Sequence, residues 1–399
     1  METRKGLLSG VVVLDLSRVL AGPYCGMMLA DMGATVIKVE LPGRGDDSRS
    51  NFPIVNGESA YYMNLNRNKR GITLNLKSEK GKEIFREMVK KSDILIENYR
   101  PGVMEKLCLG YEDLRQINPA LVYGCVSGFG HYGPYSQRAG YDIIGQAMSG
   151  LMSTTGWPGG EPTRTGTAIA DVMAGLSCCT GILSAYINRL KTGVGEKVDV
   201  ALVDSMVSSL EIINIIYLCT GKIPQRIGNR YEAIYPYDSF RASDDSLVIW
   251  AGNDKLFSLL CGVMEMPELL EDPRFNCNNQ RVLNNAQLKP YIEDWLKDKT
   301  IDDTVERLLA AGIPAAPINT IDRMAADPHI AGAREMFVEI DHPKAGRLKM
   351  TGNQIKLTHN KIDTFTPAPL LGQHNAQVLE EMLGLTQAEV EELAAAGVL

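Results

Sequence analysis

The sequence predicts an α/β protein, with a doubly wound parallel sheet in a large domain and a smaller central α+β domain. Two observations point there. Through the first two hundred residues, short Val/Ile/Leu-rich runs alternate with stretches of helical period, the pattern of repeated βαβ units. From about 233 onward the units become shorter and mixed, as expected of a separate α+β region.

The elements follow in order. GVVVLDLS (10–17) reads as a buried strand, AGPYCGMMLADMGA (21–34) as a helix with Pro23 near its start and Gly33 near its stop, and TVIKVE (35–40) as the next strand. GITLNL (71–76) is a strand, Ser78 opens a helix, SDILIEN (92–98) is a strand, a short helix lies near 111–118, and ALVYGCV (120–126) is a strand. A long helix is expected over about 172–191, a strand at EKVDVAL (196–202) and one further helix through 203–221, ended by Gly221 and Pro224. The loop 222–240, rich in Pro, Gly and aromatic residues, reads as a crossing between domains. The smaller region offers a strand at 246–252 and helices at 254–264, 284–298 and 300–312. The tail gives two strands around 347–359 and a terminal helical pair in 373–399.

Composition narrows the function. The chain has 399 residues, is 45% hydrophobic and 22% charged, and carries a net charge of −7 with both signs interspersed. That balance argues against a nucleic-acid partner and against a basic membrane-surface protein. No apolar run is expected to reach the roughly 20 residues of a membrane span, and METRKGLLSG does not resemble a signal peptide, so a cytoplasmic location is expected. Eight cysteines form no C-x-x-C pair, and five scattered histidines form no i, i+4 pair, so no metal site is expected. No G-x-G-x-x-G follows the first strand; the sheet is a scaffold, without the dinucleotide fingerprint.

Two features carry chemistry. NRNKRG (66–71) packs three cations into four residues, Arg100 sits at a strand's carboxyl end, and Lys77, Lys106 and Arg138 follow neighbouring elements. Each alone reads as a solvated charge; together they could seat phosphates. The second is Asp171 in PTRTGTAIADVMAGL (162–176), one carboxylate among small and apolar neighbours. It reads either as the N-cap of the long helix or as a nucleophile.

The segments LDLSRVLAGPYCGMMLADMGATVIKVE, NRNKRGITLNLKSEKGKEIF, ILIENYRPG, VSGFGHYGPYSQRAGYDIIGQAMSGLMSTTG, TGTAIADVMAGL and PLLGQHN, in that order, resemble the class III coenzyme A transferases, the family of formyl-CoA and crotonobetainyl-CoA transferases. The resemblance implies an interlocked homodimer and a Rossmann-like CoA-binding large domain built from both chain ends: 1–220 and 346–399, with linkers at 221–236 and 326–345 and the small domain at 237–325. It implies that Asp171 is the nucleophile, attacking a thioester to give an aspartyl anhydride and then an aspartyl-CoA thioester. CoA enters as a substrate thioester, with no permanently bound cofactor; the partners are an acyl-CoA and a small carboxylic acid. By position, CoA contacts fall on Val19, Leu20, Ala21, Leu74, Asn75, Lys77, Asn98, Tyr99, Arg100, Lys106, Arg138 and Tyr141.

The chain departs from formyl-CoA transferases twice: Leu41 replaces a basic residue, and WAGNDKLF (250–257) replaces a glycine-rich lid. Both argue against formate and oxalate. Overall wording is closest to the succinyl-CoA:dicarboxylate branch, for which Arg49, Arg164 and Arg230 are candidate partners of a second carboxylate. Two alternatives stand beside this reading. An α-methylacyl-CoA racemase would need a histidine where Tyr141 stands, and tyrosine is a poor base near neutrality. A noncatalytic CoA-binding protein would have no need to keep Asp171 in its small-residue frame.

Overall fold

The computed structural model describes residues 6–399. These residues form two compact units, one of residues 6–151, 164–219 and 332–399, the other of 152–163 and 220–331. Residues 152–163 therefore belong with the second unit, whereas the sequence reading placed them in the large domain. The segment 332–345, read as linker, belongs to the first.

The first unit is built on six parallel strands, β1 (Val12–Asp15), β2 (Thr35–Glu40), β3 (Arg70–Thr73), β4 (Ile94–Glu97), β5 (Val122–Ser127) and β6 (Lys197–Ala201). Their spatial order is β3-β2-β1-β4-β5-β6, the doubly wound order that reverses direction between β1 and β4. Register is fixed at the centre by Val13, opposite Val36 on one side and Ile94 on the other.

Both faces are covered. On one, Leu14, Ile37, Ile72, Leu95 and Tyr123 pack with helix α2 (Glu79–Lys90) and with Val378, Leu379 and Met382 of the C-terminal helix Asn375–Leu383. That helix also closes the exposed edge of β3: His374 Nδ1 accepts the Gly71 N–H and Asn375 Oδ1 accepts the Thr73 N–H. An unpaired sheet edge is thereby covered.

On the other face lie α1 (Ala21–Asp31), α3 (Asp142–Met148), α4 (Ile169–Thr192) and α5 (Leu202–Ser209). Helix α4 presents Ala170, Ala174, Cys178, Ile182 and Ala185 to the core at the spacing of one helical face. Gly175 lets it lie against α1, since a Cβ there would come within 2.6 Å of the Ala21 carbonyl oxygen. Contrary to the expectation of no such run, α4 has the length and hydropathy of a membrane-spanning segment; its apolarity serves packing against α1 and β5.

Two further boundaries differ. The helix expected over 203–221 is two, α5 and α6 (Glu211–Thr220), bent by 76° where Glu211 adopts φ +43°. Of 347–359 only the part within Gly346–Thr351 is strand, and it pairs antiparallel with Phe337–His342, inside the stretch read as linker. In the second unit, Tyr237–Arg241, Ser246–Trp250 and Ala315–Pro317 form an antiparallel sheet. Helices Asp254–Met264, Asn285–Leu296 and Ile301–Ala310 cover it through Phe257, Leu260, Trp295 and Leu308.

Candidate active site

Loops leaving β1 and β4 part at the reversal of strand order, where open α/β sheets bind ligands. Asn98 ties them together, accepting the Arg18 N–H at 2.7 Å and donating to the Arg18 carbonyl at 2.7 Å. Val19 is held at φ +67°, a conformation that a β-branched residue rarely adopts. Its N–H is fixed by the Asp46 carboxylate at 3.1 Å. Asp46 also accepts from Ser48 N–H and Oγ and from the fully buried Lys38 ammonium at 2.8 Å. Burial alone would push the Asp46 carboxyl up; the Lys38 charge and these hydrogen bonds hold it well below the usual carboxylate range.

Beside these loops is a cleft of about 370 Å³ whose wall includes Val19, Leu20, Ala21, Asn98, Tyr99, Arg100, Arg138, Tyr141 and Asp171. Gly128 and Gly140 close part of this wall: a Cβ on either would meet the other's Cα at under 2.5 Å, so the loop between them returns on itself. A second cleft of about 380 Å³ shares Arg18, Tyr99 and Val103 with the first and is lined by Leu74, Lys77 and Lys106. Asn75 lines neither. Its side chain accepts the Lys77 N–H and its backbone N–H donates to Val398, so it shapes the turn. Leu41 does line the second cleft, and Arg44 supplies a cation there.

The basic run NRNKRG does not join either cleft. Arg67 pairs with Asp31 and Lys69 with Asp15, all four side chains buried, and Arg70 pairs with Glu381. Arg67 and Lys69 are buried structural counter-charges, and Arg70 is tied to Glu381 nearer the surface. Arg49 is likewise committed, to Glu40, the Tyr62 hydroxyl and the Pro369 carbonyl, which removes it as a partner for substrate.

Asp171 is the third residue of α4, not its N-cap. Ala168 occupies the cap position without a side-chain bond. The capping is done from another helix: Asp142 Oδ1 accepts the Ala170 N–H at 2.9 Å, while Asp142 Oδ2 accepts from Gln146 Nε2 at 2.8 Å. Among the described residues, the Asp171 carboxylate has no hydrogen bond or ion pair. Burial first, and then the charge of Asp142, push its carboxyl up to about 7. Tyr61 feels the same carboxylates: burial, then Asp171, Asp46 and Asp142, push its phenol up to about 12, so it stays a hydrogen-bond donor at neutral pH.

A family model described as CoA-transferase family III matches residues 8–375. This chain belongs to CoA-transferase family III. It is 38% identical over 393 residues to a succinyl-CoA:glutarate CoA-transferase of Homo sapiens, covering 98% of this chain and 90% of that one. It is 42% identical over 379 residues to an acetyl-CoA:oxalate CoA-transferase of Acetobacter aceti, covering 94% and 96%. It is 41% identical over 387 residues to a succinyl-CoA:mesaconate CoA-transferase of Haloarcula hispanica, also covering 94% and 96%. A solved CaiB/BaiF family structure from Brucella suis superposes with a TM-score of 0.84 at 39% identity, covering 95% of this chain and all of that one.

For a family III CoA-transferase, sequence reading overlooked Asp142, Tyr61 and Arg18. Asp142 stood in view directly after Tyr141, at the start of a short helix, yet no local pattern tells that it caps α4. Tyr61 lies in a helix of the 60–66 stretch that carried no motif of its own. Among the described residues that line the cleft, none is a histidine, and Tyr141 stands there instead.

Proposed function

We propose that this CoA-transferase moves CoA from succinyl-CoA to a small dicarboxylate through covalent intermediates on Asp171. The observation that carries the reading is the unengaged, partly buried Asp171 carboxylate on the cleft wall, its expected capping work done by Asp142. One Asp171 oxygen attacks the thioester carbonyl; the C–S bond breaks and CoA thiolate leaves, giving a mixed anhydride. The thiolate then attacks the Asp171 carbonyl, the anhydride C–O bond breaks, and the donor acid departs as carboxylate. The acceptor carboxylate repeats the two steps in reverse, so charge balances with no net proton transfer. The neutral Tyr61 phenol and the remaining first-turn N–H groups of α4 offer donors to the developing oxyanions.

The two adjoining clefts suit an elongated ligand. Lys77 and Lys106 face the nucleotide end, where Arg44 and Arg18 share the partly exposed Asp47 carboxylate, Arg100 and Arg138 face its diphosphate and arm, and Asp171 the thioester. A homodimer fits the uncovered apolar surface: none of the ten residues of α6 is buried, with Ile215 55%, Tyr217 54% and Leu218 73% exposed.

Relatives named for glutarate, mesaconate and oxalate support a dicarboxylate acceptor, and the 42% identical oxalate relative returns oxalate to consideration despite Leu41. The test is a panel of free acids supplied with succinyl-CoA or acetyl-CoA, scanned by mass spectrometry for new CoA esters. C4 to C6 dicarboxylates with succinyl-CoA should lead. A monocarboxylate or an aromatic hydroxy acid leading by tenfold would overturn the substrate assignment while leaving the transferase.

A further inference from the structure

Away from Asp171, the structure gathers three metal-binding side chains that sequence spacing keeps apart. Glu97 ends β4, Cys125 lies in β5, and His131 follows β5 in the loop. One donor atom from each lies within 4.8 Å of the others. Glu97 and Cys125 are fully buried, and the His131 side chain is 9% exposed. His131 Nε2 is buried without a hydrogen-bond partner and points at Glu97 Oε1 from 3.8 Å, beyond bonding reach.

We propose that Glu97, Cys125 and His131 bind one divalent ion of the zinc class. A carboxylate, a thiolate and an imidazole form a mixed O/S/N donor set that zinc accepts. Around a tetrahedral zinc, donor atoms stand roughly 3.3–3.8 Å apart, so the cluster needs only a small contraction. One thiolate and one carboxylate balance the two positive charges. Surrounding groups hold the donors in place. The Tyr99 N–H and the Tyr123 hydroxyl hold the Glu97 carboxyl, and Asp199 Oδ2 accepts the His131 backbone N–H at 2.9 Å, which fixes the loop that carries the imidazole. Asp199 Oδ1, 3.9 Å from Cys125 Sγ, is the neighbouring oxygen for a fourth position, with water as the alternative filler.

Lys197 Nζ meets the other ring nitrogen, Nδ1, at 3.1 Å. Loading therefore places the imidazole hydrogen on Nδ1 and turns the ammonium aside. The ion would tie β4 and β5 to the loop that leaves β5 through Gly128 and runs on to Arg138 and Tyr141, and so brace the cleft wall without touching the reacting atoms.

The test uses the full chain, stripped with chelator, loaded with zinc chloride and freed of excess metal by gel filtration. Elemental analysis should find one zinc per chain. Cys125→Ala and His131→Ala should each weaken zinc binding at least tenfold, while Cys261→Ala, in the other unit, leaves it unchanged. Cobalt loading of the unaltered chain should give a thiolate-to-cobalt charge-transfer band, a readout that stands even where the variants fail to fold. Zinc uptake no greater than that of a metal-free control, uptake indifferent to both substitutions, or a cobalt spectrum without the thiolate band would overturn the site.

Discussion

The Asp142 carboxylate accepts the Ala170 N–H at 2.9 Å and so caps the helix whose third residue is Asp171. Two acids thereby divide two tasks. Asp142 satisfies an orphan backbone donor, and Asp171 is left with free lone pairs at the positive end of a helix. Their closeness has an electrostatic consequence, since each charge opposes the other.

With burial and Asp142 raising Asp171 to about 7, the proposed nucleophile is protonated in mild acid. The pH profile of kcat/KM should climb about tenfold per pH unit below 7 and level off above 8. Asp142→Asn keeps an oxygen for Ala170 but removes the like charge, so the midpoint should move to lower pH. Burial, the larger cause, keeps that move within about one unit. Steady-state kinetics across pH 5–9 checks both; an unmoved midpoint in Asp142→Asn counts against the coupling.

Stability should carry the opposite signature. A carboxyl raised in the folded state binds protons that the unfolded chain has released, so its contribution falls as pH rises from about 4 through 7. Asp171→Asn removes that cost. The variant should be more stable than the parent at pH 8, by roughly 1–4 kcal/mol, and no more stable at pH 4. Denaturant titration at the two pH values is the measurement.

The Lys38–Asp46 pair is fully buried at 2.8 Å and Asp46 holds the Val19 turn. Lys38→Met leaves a buried carboxylate without its counter-charge and should cost about 3–5 kcal/mol. In the parent, the depressed Asp46 contributes stability above about pH 4 that fades as acid protonates it. Chemical denaturation of Lys38→Met shows whether the pair supports the loop; a loss under 1 kcal/mol says that it does not.

The apolar surface of α6 predicts assembly. Light scattering should find a dimer that persists on dilution, and the pair Ile215→Glu with Leu218→Glu should shift the mass toward monomer. A stable, active monomer of the unaltered chain would contradict the proposed homodimer.

Much of this was legible in the sequence because strands buried on both faces announce themselves as short apolar runs, and β1, β2, β4 and β5 lie where those runs are. What escaped depends on three dimensions. Arg67 and Lys69 look solvated in a polar string, yet the fold buries them against Asp31 and Asp15, whose own runs gave no hint of a partner. The bend between α5 and α6 is hidden because neither glycine nor proline marks it, and apolar residues resume at Ile212 directly after Glu211. Asp171 looked like a cap because an acid commonly stands before an apolar run. Only the structure places Asp142, from 29 residues upstream, in that role.

The most direct test of the central claim is a quench of turnover. The enzyme is mixed with succinyl-CoA, trapped with hydroxylamine and digested for peptide mass spectrometry. An aspartyl hydroxamate should form at Asp171 and nowhere else, with CoA exchange abolished in a folded Asp171→Ala variant. Turnover by Asp171→Ala at the parent's rate, or trapping at another residue, would contradict covalent catalysis by Asp171.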